Sequence, residues 1–341
     1  MTLVLLGASF LLLVLVMLNL ALGSVSIPIT DVKSVLLHGS CDSVIFENII
    51  LKTRLPQTLV ALGAGMALGV AGLLMQTLFR NPLAGPSILG ISSGSSLGVA
   101  FVMLFTGQIL GFSFTSMGAW GDVAVITSSL LGAGLVLALI LFISHRIGGT
   151  LSVLIIGVMI GYLSSSIVSL LKFYSPEEDV HNYVIWGLGS FSRIAPDRAA
   201  LFALMTVVPS LLATLLAKPL NLLVLGDRYA ANLGLKIRRS RFIIIACAGF
   251  LTAIVTSFCG PIIFVGVAVP HLAKLLSRTS NHFYLILNAC LIGAVTALLC
   301  HLIARMPGVE HELPINSVTA FVGAPVVIWV IWKRRKENRL E

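Results

Sequence analysis

The sequence predicts an all-α membrane protein with about ten transmembrane helices. Of its 341 residues, 57% are hydrophobic and only 10% are charged, and the mean hydropathy is +1.05. Soluble domains carry roughly 25% charged residues, so this composition argues against a soluble enzyme. A spanning helix needs about 20 apolar residues, and charges and turn residues divide the chain into stretches of about that length.

The predicted spans follow one another with short connections. They lie at 1–22, 56–79, 91–112, 122–144, 150–171, 198–217, 241–258, 261–277, 283–304 and 314–332. The first ends at small residues, as a cleaved signal peptide would, but it lacks a basic start and is predicted to be a retained helix. The pair 241–258 and 261–277 is separated only by Cys259, Gly260 and Pro261. One kinked helix is the alternative, but two helices agree better with the charge distribution.

The basic residues determine the predicted orientation. Ten spans place both termini on one side of the membrane, and the basic tail at 333–336 places that side in the cytoplasm. Cytoplasmic segments then hold 15 of the 22 Lys and Arg residues and three of the 13 Asp and Glu residues. The net charge of +9 therefore reflects orientation and partner docking, and we expect no binding of nucleic acid.

The predicted membrane core lacks the groups that chemistry or ion coupling would need. No Asp or Glu lies well inside a span, which disfavours an ion-coupled secondary carrier. An intramembrane enzyme would need a nucleophile with a base, or a metal constellation, and the sequence shows neither. A GxxxxGK[ST] phosphate loop is also absent. We therefore expect no catalytic residues, metal site or cofactor, and any ATPase would be a separate chain.

Glycines spaced four residues apart predict close contacts between helices. The pairs are Gly65 and Gly69, Gly90 and Gly94, Gly94 and Gly98, and Gly157 and Gly161. Small residues at this spacing let two helices approach closely in a membrane. We prefer this interpretation to a dinucleotide-binding loop, because no strand precedes the glycines.

The segment 80–94 predicts a rigid cytoplasmic turn between two spans. Pro82, Pro86 and several glycines restrict its backbone. A plain re-entry turn is one interpretation, and a gate or contact surface is the other.

The longest cytoplasmic loop, about 218–240, predicts a short helix over 225–234. Asp227 is its predicted N-cap and Gly234 its C′ glycine. Ala230, Ala231 and Leu233 would present a small apolar surface to a groove on a partner. A solvated basic loop is the alternative.

Further along, His271 follows Pro270 near a cytoplasmic helix end, where a capping or packing role is favoured over a ligand role.

On the outer face, two arginines mark the mouth of the bundle. Arg54 precedes one span and Arg305 ends another. Each is predicted to be a fixed cation that either reaches the interface alongside its own helix or docks an acidic partner.

These segments resemble the permease subunits of the FecCD family, which belong to binding-protein-dependent ABC importers for iron-siderophores, haem and cobalamin. The matching stretches occur in family order over about 54–335. They are 54–57, 76–86, 89–94, 186–190, 225–230, 233–234, 260–266, 269–271, 312–315 and 323–325.

The resemblance implies a type II ABC importer permease in which residues 1–341 form one transmembrane domain. The expected function is translocation of an iron chelate across the bacterial inner membrane by alternating access, with cobalamin or haem as alternatives. The implied partners are a second permease subunit (identical or related), two cytoplasmic ATPase subunits, an extracytoplasmic binding protein and membrane lipid.

The resemblance also implies roles for individual residues. The binding protein would dock at Arg54, Gln57 and Arg305, where Gln57 replaces an arginine of the family motif. The cytoplasmic gate would be formed by Asn81, Pro82, Leu83, Arg146, Gly148 and Gly149. ATPase coupling is carried by Leu225, Gly226, Asp227, Arg228, Ala230, Leu233 and Gly234. The fifth span would line the path with Met159, Ser164, Ser165 and Ser166. His301 occupies a position where the family often has Asp. The alternatives for this departure are altered docking, altered ligand contact and local packing, and packing is favoured.

Overall fold

The computed structural model describes residues 2–105, 118–147, 150–306 and 312–337, and these form helices and turns without any strand. The first eight α-helices are α1 Thr2–Ala21, α2 Ile29–His38, α3 Val44–Ile49, α4 Leu55–Phe79, α5 Ile91–Ala100, α6 Ala119–Ile147, α7 Thr150–Tyr174 and α8 Glu177–Gly187. The others are α9 Pro196–Leu212, α10 Ala217–Val224, α11 Asp227–Asn232, α12 Ile237–Cys259, α13 Phe264–Ser277, α14 His282–Ala304 and α15 Ile315–Glu337.

The described helices account for all ten predicted spans. Seven helical segments are long and apolar enough to cross a membrane. Three shorter apolar segments, Ile91–Phe105, Phe264–Ser277 and Ile315–Trp329, complete the set. Each of the ten overlaps one predicted span, which confirms the all-α polytopic fold. Helices α12 and α13 are separate, with Gly260 at φ 79° between them, so the two-helix interpretation is also confirmed.

Several predicted boundaries are wrong. The span predicted at 56–79 is part of a longer helical segment, Val44–Phe79, in which a π-helical turn at Ile50–Arg54 joins α3 to α4. The loop predicted from residue 218 begins later, because α10 extends the span through Val224. Pro219 lies in the first turn of α10, where a missing N–H costs little. The end of the span predicted at 91–112 lies outside the described residues.

Helix α4 is the centre of the bundle. Twenty of its 25 residues are buried, and it packs against α9, α12, α13 and α14. Helices α6 and α7 lie further out and expose large apolar side chains, including Leu131, Leu135 and Leu163. Such apolar outer faces suit lipid or a second subunit.

Glycines let α4 contact its neighbours backbone to backbone. A Cβ atom on Gly65 would lie 2.2 Å from the carbonyl oxygen of Gly293, and one on Gly72 would lie 1.8 Å from that of Gly266. Neither position has room for a methyl group. The other predicted glycine contacts are also formed, with Gly69 against Ala289, Gly94 and Gly98 against α6, and Gly90 against Gly157. The prediction of close small-residue packing is confirmed at these positions.

We expect Gly65→Ala to destabilise the protein, because the added methyl group forces α4 and α14 apart. Overpacking of this kind costs about 1–3 kcal/mol. Gly134→Ala is the matched control, since a Cβ atom at Gly134 meets nothing within 4 Å. The thermal unfolding midpoint in detergent should fall for Gly65→Ala and stay constant or rise for Gly134→Ala. Equal midpoints would contradict the packing role of Gly65.

Candidate functional site

The predicted functional residues lie at the two ends of α4. We call the end that holds residues 80–90, 146, 218–241 and 271–282 the basic end. We call the end that holds residues 20–57, 188–195, 305 and 312–316 the opposite end. Contacts within each group define these ends, since Arg80 meets the segment after α10 at one of them and Arg54 meets the end of α1 at the other.

At the opposite end, Arg54 is buried within the fold. The π-helical turn before α4 directs its side chain inward, and the residue is only 1% exposed. Its guanidinium donates a 2.7 Å hydrogen bond to the carbonyl oxygen of Leu20 and a second one to that of Val25. Arg54 is therefore a fixed cation, as predicted, but it fastens the chain after α1 and does not face the surface.

Arg305 is half-buried and lies close to Arg54. A Cβ atom on Gly23 would stand 3.0 Å from a terminal nitrogen of Arg305 and 3.2 Å from one of Arg54. Gly23 thus leaves room for two guanidinium groups side by side. Gln57 is half-buried on the next turn. The three predicted docking residues share one end of the bundle, and their docking role stays a prediction.

A polar chain beside Arg305 connects α1, α14 and the segment before α15. His301 is buried, and its Nδ1 lies 2.9 Å from Oδ1 of Asn19. Its Nε2 lies 3.5 Å from Oε1 of Glu312. The hydroxyl of Ser192 donates to the other carboxylate oxygen of Glu312 at 2.5 Å. His301 therefore has a polar positioning role in the fold in addition to packing.

The pKa of Glu312 reflects this setting. Burial opposes ionisation of the carboxyl group, but hydrogen bonds from His301 and Ser192 and the charge of Arg305 outweigh it and lower the pKa of Glu312. Burial lowers the pKa of Arg305, and the charge of Glu312 partly offsets that effect. Glu312 therefore stays ionised at neutral pH and supplies a negative charge beside Arg305.

At the basic end, the first gate segment is a tight turn. The amide nitrogen of Leu83 donates to Oδ1 of Asn81 at 2.9 Å. Nε2 of His271 on α13 lies 2.8 Å from the carbonyl oxygen of Pro82. Ala84 is fully buried, whereas Leu83 is 53% exposed. The turn is therefore anchored on α13 and presents Leu83 outward.

The second predicted gate segment is described only in part. Arg146 is exposed, and its guanidinium carbon lies 5.5 Å from the centre of the Phe142 ring. Gly148 and Gly149 lie outside the described residues. Helix α7 begins beside the first gate turn, where a cavity of about 260 Å³ is lined by Arg80, Asn81, Leu151 and Asp227 among others.

The coupling segment forms the predicted short helix, with two corrections. The N-cap is Gly226, at φ 115°, and Asp227 is the first helical residue. The carboxylate of Asp227 contacts Arg241 at 2.5 Å and Arg80 at 3.7 Å, so it does not cap the helix. Ala230 is fully buried and adds nothing to the outer surface.

The remaining features of the coupling helix agree with the prediction. Gly234 follows the helix at φ 82°, as a C′ glycine should. Leu225 and Leu233 are 60% and 61% exposed, and Arg228 and Ala231 are exposed too. The outer surface is therefore formed by the two leucines together with Arg228, Tyr229, Ala231 and Asn232.

The predicted path residues on α7 do not share one environment. Met159 is 53% exposed, and Ser165 and Ser166 are also exposed. Ser164 is 3% exposed and faces the interior of this chain. The exposed face also carries Tyr162 and Leu163, so it combines apolar and hydroxyl groups.

Comparison with known proteins assigns the chain to a family. The family model of the FecCD transport family matches residues 11–333. This match includes both ends of the bundle and every predicted site residue. The chain belongs to the FecCD transport family.

Individual relatives of this FecCD-family chain support the assignment. The vitamin B12 import system permease protein BtuC of Citrobacter koseri is 34% identical over 85% of this chain and 84% of the relative. BtuC of Escherichia coli O9:H4 is 32% identical over 85% of each chain. A solved inward-facing structure assigned to the metal-chelate type of ABC transporter superposes with a TM-score of 0.84. The superposition covers 98% of this chain and 100% of that one at 30% identity.

Four residues of this FecCD-family chain make contacts at the two ends that the sequence did not predict. They are Asn19, Arg80, Ser192 and Glu312. Asn19 could have been identified from the sequence, because a carboxamide inside an apolar span needs a polar partner. The two anchors of Asn19, Leu298 and His301, lie about 280 residues away in the chain. Only the fold brings them together.

We expect Arg54→Gln to lower the thermal unfolding midpoint, because it leaves the carbonyl groups of Leu20 and Val25 without their charged donor. Hydrogen bonds to charged groups contribute about 1.5–3 kcal/mol each. Lys52→Gln is the control, since Lys52 lies on the same turn and is exposed. If both variants unfold at the wild-type temperature, Arg54 does not hold this end of the bundle together.

Proposed function

We propose that this chain is the membrane-spanning subunit of an ABC importer that carries a bulky metal chelate. The family assignment supports the permease class. The observation that carries the proposal is the contact between the gate turn and the coupling segment at one end of the bundle. Arg80, next to the gate, meets both Leu223 and Asp227. A permease that is driven by a separate ATPase needs its gate to lie close to the segment that the ATPase moves.

The distribution of basic residues supports a cytoplasmic basic end. Under that orientation, 15 of the 22 Lys and Arg residues face the cytoplasm. The exposed coupling helix would then dock into one of the two ATPase subunits, and both chain termini would be cytoplasmic. The opposite end would receive an extracytoplasmic binding protein. The protein would span the inner membrane of a bacterium.

Transport would proceed by alternating access between two subunits. The second subunit is an identical copy or a relative, and the exposed faces of α7 would enclose the path between them. Met159, Ser165 and Ser166 remain candidates for its lining, whereas Ser164 faces away from it. ATP binding and hydrolysis shift the balance between outward- and inward-open states, and the docked binding protein contributes to the same balance. This subunit performs no bond chemistry.

Three substrates fit this proposal. The resemblance of the sequence motifs favours an iron chelate of the siderophore type. The names of the two relatives favour cobalamin, which is itself a bulky chelate of cobalt. Haem is a third member of the same chemical class. An ion-coupled secondary carrier is disfavoured, because the predicted spans contain no acidic residue well inside them.

The decisive experiment is uptake into liposomes that contain the permease with its ATPase and its binding protein. We expect ATP-dependent accumulation of one chelate, measured in parallel with a ferric siderophore, haem and cobalamin. The control is the same assembly with a hydrolysis-deficient ATPase. Accumulation that persists without a functional ATPase would refute the importer class, and the preferred chelate decides among the substrates.

We expect Arg305→Glu to weaken docking of the binding protein, because Arg305 is a partly exposed cation at the mouth. A charge reversal at a docking pair removes an attraction and adds a repulsion. Lys33→Glu is the control, since Lys33 is an exposed cation at the same end of the bundle. The measurement is the Kd for the binding protein at low ionic strength. An unchanged Kd for Arg305→Glu would remove Arg305 from the docking surface.

A further inference from the structure

Arg80 occupies an unusual backbone position between α4 and the gate turn. It follows the last residue of α4 and has φ 48° and ψ 32°, the left-handed region. Only Arg80 and Arg278 combine a side chain with a positive φ among the described residues. Glycine is the residue that adopts this conformation without steric cost. An arginine at this position suggests that its side chain does something that glycine could not.

The Arg80 side chain reaches the coupling segment. Its guanidinium donates a 2.7 Å hydrogen bond to the carbonyl oxygen of Leu223, the residue next to the end of α10. The same group lies 3.7 Å from the carboxylate of Asp227, the first residue of α11. Arg80 therefore contacts the chain on both sides of the short connection between α10 and α11.

The gate turn is held from its other side by α13. Nε2 of His271 lies 2.8 Å from the carbonyl oxygen of Pro82, and Gln76 donates to the carbonyl oxygen of Val267 at 3.1 Å. Pro86 packs against Gly266, where a Cβ atom would come within 2.5 Å of it. Residues 80–86 therefore lie between two supports, α13 on one side and the coupling segment on the other.

We propose that Arg80 is a positioning residue that transmits movement of the coupling helix to the gate turn within one subunit. This inference rests on the proposed function. When the ATPase displaces α11, Asp227 and the carbonyl group of Leu223 move with it, and the Arg80 guanidinium follows them. Asn81, Pro82 and Leu83 come directly after Arg80 in the chain. The gate turn then rotates about the contact between His271 and Pro82, and the solvent exposure of the Leu83 side chain changes as a result.

The geometry of the ion pair favours this role over a purely stabilising one. The side chains of Arg80 and Asp227 are 52% and 49% exposed. Exposed ion pairs contribute little to stability. The hydrogen bond to a backbone carbonyl group, by contrast, ties Arg80 to the helix end itself. The contacts of Arg80 therefore do more to connect the end of α4 to the coupling segment than to stabilise the fold.

The test measures the accessibility of Leu83 in the complete assembly. Leu83→Cys is introduced into a Cys41→Ser, Cys247→Ser background, since these are the two native cysteines that are not fully buried. The permease is reconstituted in nanodiscs with its ATPase and binding protein. The modification rate of the introduced thiol by a charged maleimide is then measured without nucleotide and with ATP and vanadate. Chelate uptake and ATP hydrolysis are measured on the same preparations.

We expect the wild-type assembly to show an ATP-dependent change in this rate. Arg80→Gln should reduce the ATP-dependent change in the modification rate by about fivefold or more. Fivefold is the lower end of the usual range for coupling between two sites. The ATP hydrolysed per chelate transported should rise. Asp227→Asn should produce the same loss without altering the end of α4. The loss in the double variant should be smaller than the sum of the two single losses, because both changes remove the Arg80–Asp227 contact in addition to one separate contact each, Arg80 with Leu223 and Asp227 with Arg241. Arg278→Gln is the matched control, being an exposed left-handed arginine on the same end, and should keep the full response.

The outcomes separate this inference from the proposed function. A wild-type assembly that shows no ATP-dependent uptake overturns both. A wild-type assembly that transports while Arg80→Gln and Asp227→Asn keep the full accessibility change overturns the role of Arg80 alone. If Arg80→Gln fails to assemble, Asp227→Asn decides together with Arg241→Gln, because Asp227 also contacts Arg241 at 2.5 Å. A loss in Asp227→Asn with a full response in Arg241→Gln supports the inference, and an equal loss in both variants refutes it. Equal losses in Arg278→Gln and Arg80→Gln would show a general effect of cytoplasmic charge and would also refute the inference.

Discussion

Backbone contact along α4 is the constraint on which the rest of the structure depends. Gly65 and Gly72 bring α4 against the carbonyl groups of Gly293 and Gly266. In lipid no hydrophobic driving force pushes helices together, so tight packing of small residues must provide much of the association. A helix held in this way moves with its neighbours as one body. Arg54 and Arg80 stand at its two ends, and their positions are fixed by the same packing.

The residues at the two ends of α4 make different kinds of contact. At the opposite end, Arg54 is buried and bonded to carbonyl groups, so it closes the junction between α1 and α4. Arg305 stands beside it with partial exposure, and the polar chain of Asn19, His301 and Glu312 fixes the end of α14. This end therefore offers a preorganised surface, which reduces the ordering cost of binding a partner. The basic end exposes Leu83, Leu225 and Leu233 on short segments.

The sequence was sufficient for the ten spans, because a lipid-spanning helix must be apolar over its whole length. It was not sufficient for α2 and α8, which are short and lie outside the predicted spans, nor for the start of α4. Motif resemblance predicted the tight turn after α4 and the short helix α11, and both are formed. It did not show that Arg54 faces inward, because that depends on carbonyl groups 29 and 34 residues earlier in the chain. The N-cap at Asp227 was predicted wrongly because its carboxylate is engaged by Arg80 and Arg241, which lie elsewhere in the sequence.

The contrast between the packed core and the exposed Arg80–Asp227 pair follows from what a transport cycle needs. A permease must interconvert states that differ by only a few kcal/mol, since otherwise nucleotide could not shift their populations. A backbone-packed core rearranges only at high cost, which keeps α4 and α13 rigid while the segments around them move. An exposed ion pair contributes about 0–1 kcal/mol, so it can follow a moving helix and rearrange without trapping either state. A buried apolar contact between the gate turn and the coupling helix would hold one state too strongly. In the role that we propose for Arg80, the weak polar connection at the end of a rigid helix would allow movement to pass between the coupling helix and the gate turn in both directions of the cycle.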